Sequence, residues 1–402
     1  MWIIQQPLLR IKHRILKLLL KLMNIPVPEL LSGAGKVKEL PEIIKKEGID
    51  NVLFVTDKVL MKLGLPDTLL AALDQNGIRY IIFDNVEPNP TIQSMEDGLK
   101  VYLKNECKGI IAFGGGSPMD CAKVIGVLKT HPGKTVFQMR GLFKIKNDLP
   151  PVFAIPTTAG TGSEATIAAV VTDPESHEKF GIGDGRLVPK WAVLDPELTV
   201  SLPPHITVAT GMDALTHAIE AYVSFLSTDF TDKYAEKAVA LIFANLEKAY
   251  KDGLDLDARN NMLLASYYAG ISFTRAMVGY VHAIAHNMGG LYGVPHGLAN
   301  AIILPHVLDY SRKNAEKKLA KLAIVAGIGG AQEPTSQLAE KFIDRIKIMN
   351  LDMNIPTGIK ELQEKDIPII VKRTLAETNM FYAPPRLMSS KQCTSMIKKL
   401  FI

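Results

Sequence analysis

The chain has 402 residues, 47% of them hydrophobic and 22% charged, which excludes a disordered or fibrous polymer and exceeds one typical core, so two domains are expected. Its three cysteines (Cys107, Cys121 and Cys393) form neither a disulfide framework nor a metal-type spacing, and point to a reducing cytoplasm. The net charge is +5; residues 1–25 hold Arg10, Lys12, Arg14, Lys17 and Lys21 and no acid, so the rest of the chain is close to neutral and offers no basic surface for nucleic acid.

In chain order, the first element is a helical stretch over Pro7–Met23. Arg10, Arg14, Lys17 and Lys21 follow steps of four, three and four and share one face, with Leu8, Ile11, Ile15, Leu18 and Leu22 on the other. Charge interrupts its apolar run too often for a signal peptide or a membrane span. Two readings stay open for residues 1–25: an arm packed on protein with its basic face in water, or an interfacial helix in peripheral contact with anionic lipid. Short runs rich in β-branched and aromatic residues then predict buried strands at Val52–Val55, Tyr80–Phe83, Gly109–Phe113, Val152–Ile155, Ala169–Thr172 and Ala192–Leu194. Helical pattern fills Lys58–Gln75, Ile92–Asn105 and Met119–Lys129, and DNVEPNP at 84–90 reads as a turn. Such alternation predicts parallel strands with helical crossovers over residues 26–203. Past Leu202-Pro203-Pro204 the strand signal fades. Met212–Phe225, Asp232–Lys251 and Ala258–Met277 predict a helical second domain over residues 204–402.

Two loops in the first domain suit a nucleotide. Gly114-Gly115-Gly116-Ser117-Pro118 follows a strand and opens a helix, where glycines admit close approach of phosphate and free amides favour an anion. Pro156-Thr157-Thr158-Ala159-Gly160-Thr161-Gly162-Ser163-Glu164 also follows a strand, with hydroxyls to offer. Asp57 ends the first clear strand; a carboxylate there suits ribose hydroxyls and repels a 2′-phosphate, or simply caps the next helix.

The second domain gathers metal-ligating side chains. Asp213 and His217 are four apart on a helix, His282 and His286 repeat the spacing, and His296 follows. Imidazoles with a carboxylate and no thiolate suit Fe²⁺ or Zn²⁺. The metalloprotease motif HExxH is excluded, since Ala283 follows His282.

Taken together, GGGSPMD at 114–120, PTTAGTGSE at 156–164, GMDALTHAIEAY at 211–222 and HAIAHNMGGLYGVPHGLANAIILPH at 282–306 resemble the iron-containing alcohol dehydrogenase family of the dehydroquinate-synthase-like superfamily, from about Ile25 onward. The resemblance implies an α/β fold: a Rossmann-like N-terminal nucleotide-binding domain, then an all-helical metal-binding domain. It implies hydride transfer between NAD(H) and a primary alcohol or aldehyde, with Asp213, His217, His282 and His296 holding Fe²⁺ (or Zn²⁺) and His286 handling the proton. Gly114, Gly115, Gly116 and Ser117 match the pyrophosphate turn. Thr157, Thr158 and Lys179 (in Glu178-Lys179-Phe180) match cofactor contacts, Asp57 the ribose-binding acid, and Phe273 the substrate pocket. A polyol dehydrogenase or a non-redox NAD-using lyase on the same scaffold is the rival enzyme, and a membrane-surface scaffolding protein the rival of another class. A homodimer is the expected assembly.

Overall fold

The computed structural model describes residues 2–23, 25–175 and 179–402. Met1 and Asn24 of the N-terminal extension, and Glu178 beside Lys179, lie outside the described residues. The chain divides into two compact units, Asn24–Leu202 with Leu254–Tyr267, and Met1–Met23 with Pro203–Gly253 and Tyr268–Ile402. Leu254–Tyr267, which the sequence reading assigns to the helical domain, thus belongs with the first unit. Tyr267 shows one reason: its hydroxyl donates to the carbonyl of Pro28 at 2.8 Å.

Among its described residues the first unit contains nine strands: β1 (Glu29–Ser32), β2 (Asn51–Val55), β3 (Arg79–Phe83), β4 (Gly109–Gly114), β5 (Gly141–Leu142), β6 (Val152–Pro156), β7 (Ala168–Thr172), β8 (Lys179–Gly183) and β9 (Trp191–Leu194). Six form one parallel sheet in the order β1-β9-β6-β4-β2-β3. Both faces of its central strands are buried. Leu53, Val55, Ile110, Ala112, Val152 and Ala154 enter one core, while Val52, Phe54, Ile111, Phe113, Phe153 and Ile155 enter the other. The period of two within unbroken apolar runs is what a sheet covered on both sides requires. The predicted strand Ala169–Thr172 is instead part of a separate sheet, β5-β8-β7, where β7 runs antiparallel to β8. β1, β5 and β8 have no counterpart among the predicted strands.

The helices before residue 203 are α1 (Trp2–Leu22), α2 (Leu40–Lys46), α3 (Lys58–Lys62), α4 (Asp67–Gln75), α5 (Ile92–Lys104) and α6 (Gly116–Thr130). The single predicted helix Lys58–Gln75 is broken at Gly64-Leu65-Pro66. Gly64 takes φ 66°, and Pro66 disfavours helix at the residue before it. β2 leads to β3 on one side and β4 to β6 on the other, so the chain's direction across the sheet reverses between β2 and β4, the switch point at which open α/β sheets take ligands.

From Pro203 onward the described residues contain no strand. The helices are α7 (Pro204–Val223), α8 (Asp229–Lys251), α9 (Leu256–Ala276), α10 (Tyr280–Tyr292), α11 (His296–Val325), α12 (Thr335–Asp352), α13 (Ile367–Phe381) and α14 (Ser390–Lys398). α7 starts eight residues before its predicted onset, because Pro203 and Pro204 suit a helix start rather than a stop. It is buried on nearly every side and packs against α8 and α11. α1 packs on this helical unit through His13, Leu16 and Leu20, and its basic face is only partly in water: Arg10, Lys12 and Lys17 donate to backbone carbonyls of residues 384, 385, 379, 380 and 225, whereas Arg14 and Lys21 are exposed, and Leu8, Ile11, Ile15, Leu18 and Leu19 turn outward. No helix of the described residues is long and apolar enough to cross a membrane.

Candidate active site

Two buried helix segments bring three of the metal-type side chains together. Asp213 and His217 sit one turn apart on α7, and His282 lies in the first turn of α10. One ligand atom from each lies within 4.8 Å of the others. His296, the first residue of α11, stands outside that set but brings Nε2 to 3.5 Å from Asp213 Oδ1. The rings of His217 and His282 stack at 4.5 Å between centroids, and those of His282 and His296 lie at 5.3 Å. Phe273 covers the other face of His217 at 4.2 Å.

The electrostatics of this cluster suit a cation. Burial lowers the pKa of His282 well below the usual imidazole value, and His217, His296 and His286 push it the same way, so this ring presents a lone pair rather than charge. Glu220 fixes which lone pair. Its carboxylate accepts from the amides of Gly279 and Val281, each at 2.8 Å, and lies 2.7 Å from His282 Nδ1. Burial raises Glu220 to about 7 while the amides of Val281, Gly279 and His282 draw it back down; in its ionised form it accepts the His282 proton at Nδ1 and leaves Nε2 as an acceptor, 3.8 Å from Asp213 Oδ1. The Asn300 amide confirms the polarity of the spot: Nδ2 stands 2.7 Å from Asp213 Oδ1 and 3.2 Å from Nε2 of both His282 and His296. A carboxylate oxygen and two imidazole nitrogens aimed at one amide donor are a donor set into which a divalent metal fits.

His286 lies on the solvent side of this cluster. Its ring stacks on His296 at 5.3 Å, and its Nδ1 meets Glu377 Oε1 at 2.8 Å. The same oxygen accepts the Tyr382 hydroxyl at 2.7 Å.

The glycine and threonine loops meet at adjoining strand ends of the sheet unit. Gly114 pairs with Pro156, and the Thr157 amide donates to the Gly114 carbonyl. Gly114 has φ 145°, and a Cβ there would sit 2.6 Å from Pro118. A Cβ on Gly115 or Gly116 would press on Thr158 or Thr161 at 3.4 and 3.1 Å. α6 begins at Gly116 without a side-chain cap, which leaves its first amides to an anion. The Ser117 hydroxyl accepts from the Asn89 amide, and Lys179 Nζ donates to Asn89 Oδ1 at 2.6 Å, linking two predicted cofactor residues through one asparagine. Asp57, at the neighbouring end of β2, caps α3: its Oδ1 accepts from the amides of Val59 and Leu60.

Sequence reasoning passed over four supporting residues. Glu220 falls on the Asp213–His217 face of α7, and Asn300 stands one turn after His296, so helical spacing carried the signal for both. Asp120 and Lys123 of α6 lock the threonine loop. Asp120 accepts from the Ser163 hydroxyl and the Val170 amide, and fully buried Lys123 reaches oxygens of Ser163, Thr166 and Ala168. Burial pulls Lys123 down to about 8 against the attraction of Asp120 and Glu164.

Two family profiles account for this arrangement: "Iron-containing alcohol dehydrogenase" matches residues 27–196, and "Fe-containing alcohol dehydrogenase family, C-terminal" matches residues 207–401. The chain belongs to the iron-containing alcohol dehydrogenase family. It is 40% identical to a 1,3-propanediol dehydrogenase of Klebsiella pneumoniae over 92% of its length and 96% of that protein's. It is 35% identical to an NAD-dependent methanol dehydrogenase of Bacillus methanolicus over 92% of its length and 97% of that protein's. Among solved structures, a 1,3-propanediol oxidoreductase superposes with a TM-score of 0.91 at 39% identity, covering 94% of this chain and all of that one. The two loops lie within the residues matched by the first profile, and the carboxylate–histidine cluster within those matched by the second.

Proposed function

We propose that this iron-type alcohol dehydrogenase transfers a hydride between NAD(H) and a small primary alcohol or its aldehyde, with the residues described above in defined roles. The observation that carries the reading is the convergence of Asp213, His217 and His282, with His296 beside them, on one buried spot. These four would hold Fe²⁺, or Zn²⁺ in its place. When bound, the metal supplies Lewis acidity toward the alcohol oxygen, and the nicotinamide supplies the hydride acceptor. Glu220 holds the His282 ring so that Nε2 faces the metal position. Phe273, stacked on His217, gives the substrate carbon an apolar wall. His286 takes the proton released from the hydroxyl and passes it to solvent, its ring held by Glu377.

At the other end, Gly114–Ser117 and the start of α6 receive the pyrophosphate, while Thr157, Thr158 and Lys179 add polar contacts. Asp57 keeps its second carboxylate oxygen for the adenosine ribose, and its charge disfavours a 2′-phosphate. A non-redox lyase is not favoured, since the named relatives are dehydrogenases. The reading extends to a homodimer in a reducing cytoplasm, supported by three buried, free cysteines, and to peripheral membrane contact through residues 1–25.

The test is an absorbance assay for NADH over a panel of alcohols, with protein reconstituted separately with Fe²⁺ and Zn²⁺. His282→Ala is expected to lose metal and turnover together. Full turnover by metal-free His282→Ala would defeat the assignment.

A further inference from the structure

α1 divides its charge: Arg10 and Lys17 turn toward the helical unit, while Lys12, Arg14 and Lys21 stay exposed beside an outward apolar strip. Arg10 donates to the carbonyls of Pro384 and Pro385 at 2.9 and 2.8 Å and lies over the Phe225 ring; Lys17 donates to the Phe225 carbonyl. His13 and Leu20 are buried beneath the helix. Leu8, Ile11, Ile15, Leu18 and Leu19 are left between 52 and 62% exposed. At 100° per residue these five form one continuous strip. Exposed Lys12 borders it on one side, and exposed Arg14 and Lys21 on the other. The first acidic residue of the chain is Glu29.

A second feature adjoins this strip. On the Arg14–Lys21 flank, Lys17 lines a cleft of about 590 Å³ together with Lys313, Lys317 and Lys318 of α11 and with Glu316. Lys318 is answered by Asp232 at 3.2 Å. Lys313 and Lys317 are exposed, one turn apart, and have no ion-pair partner among the described residues. An apolar strip edged by cations beside a cleft with surplus cations is complementary to acyl chains topped by phosphate.

We propose that α1 and the Lys313–Lys317 cleft form a docking surface for a membrane containing anionic phospholipid. The strip enters the boundary between head groups and acyl chains. Arg14 and Lys21 meet phosphates along its edge, and the cleft seats one anionic head group. A second copy of the chain suits the surface less well: a two-fold pairing of α1 would set its cations against each other with no acid on the helix to answer them. The inference rests on the peripheral contact proposed for residues 1–25 and adds the occupant and the lysine cleft.

The test is flotation of the full-length, metal-loaded protein with vesicles of phosphatidylcholine alone or with phosphatidylglycerol added. The expected result is at least about tenfold stronger binding to the anionic vesicles, weakened by salt. Ile15→Asp combined with Leu18→Asp abolishes it, and Lys313→Glu combined with Lys317→Glu lowers it about tenfold or more, each with wild-type turnover and Tm because the sites are exposed. Wild-type protein that ignores anionic vesicles overturns both the contact and the cleft. Binding that needs the strip but is indifferent to the lysine pair leaves the contact standing and overturns the cleft. A wild-type assembly that dissociates in the strip variant, with no vesicle binding, assigns the strip to a second copy and overturns the proposal.

Discussion

At Glu220 one carboxylate accepts the amides starting α10 and the ring proton of His282, so its charge governs a helix start and a ring orientation together. Glu220→Gln places an amide donor where an acceptor is needed. We predict a metal affinity about 10- to 100-fold lower, read by competition with a coloured chelator; an unchanged affinity rejects the role. Gly279→Ala should show the same defect, since its Cβ would lie 2.7 Å from Glu220 Oε1. Asp57 invites a separate measurement. Asp57→Ser keeps a capping oxygen for α3 and removes the negative charge, so turnover with NADP should rise while Tm stays near wild type. The proposed ligands were legible as candidates because Asp and His at helical spacing in apolar helices are conspicuous. The supporting Glu220 and Asn300 were not, because a polar residue at helical spacing has many ordinary partners and only the fold reveals which it meets.

Whole elements show where pattern suffices and where packing decides. The central strands were readable from unbroken apolar runs, which a doubly covered parallel sheet demands. β1 was not: it is four residues long, sits at the sheet edge and has no buried position. β8, KFGIG, hides behind its glycines. The orientation of α1 was invisible for a different reason. Periodicity separates its two faces, but only the fold shows that Arg10 and Lys17 reach the carbonyls of residues 384, 385 and 225 while a strip of the apolar face turns outward. His13 makes that docking dependent on pH. Burial, then Arg10 and Lys12, hold its pKa at about 4, against about 6.5 when free. Between those values the released helix takes up a proton that the docked helix refuses, so docking is at full strength above about pH 6.5 and weakens as pH falls toward 4. Faster amide exchange in α1 at pH 5 than expected from intrinsic rates, flattened by His13→Leu, is the predicted result. In the sheet unit, Lys123→Met would leave Asp120 and Glu164 without their buried cation. We predict a loss of about 3–5 kcal/mol, seen as a lower urea midpoint.

For the molecule as a whole, metal should act on stability as well as on turnover. An ion bound by the native helical unit and not by the unfolded chain stabilises the fold by about 2.7 kcal/mol at a free concentration one hundred times Kd. Chelation should therefore lower Tm of the wild type and leave His282→Ala unmoved, a difference that calorimetry resolves. The ligand helices add a constraint in time. Asp213 and His217 come from α7, His282 from α10, and His296 only from the first residue of α11, with α8 and α9 threaded between them. Closing a loop of that length is a late and slow event in folding. If Asp213, His217, His282 and His296 hold the metal as proposed, a half-made chain leaving the ribosome presents the first pair but not the remainder, and capture by all four waits until α11 has been synthesised and docked. On that assignment, an ion held by all four residues would report that the helical unit has been completed.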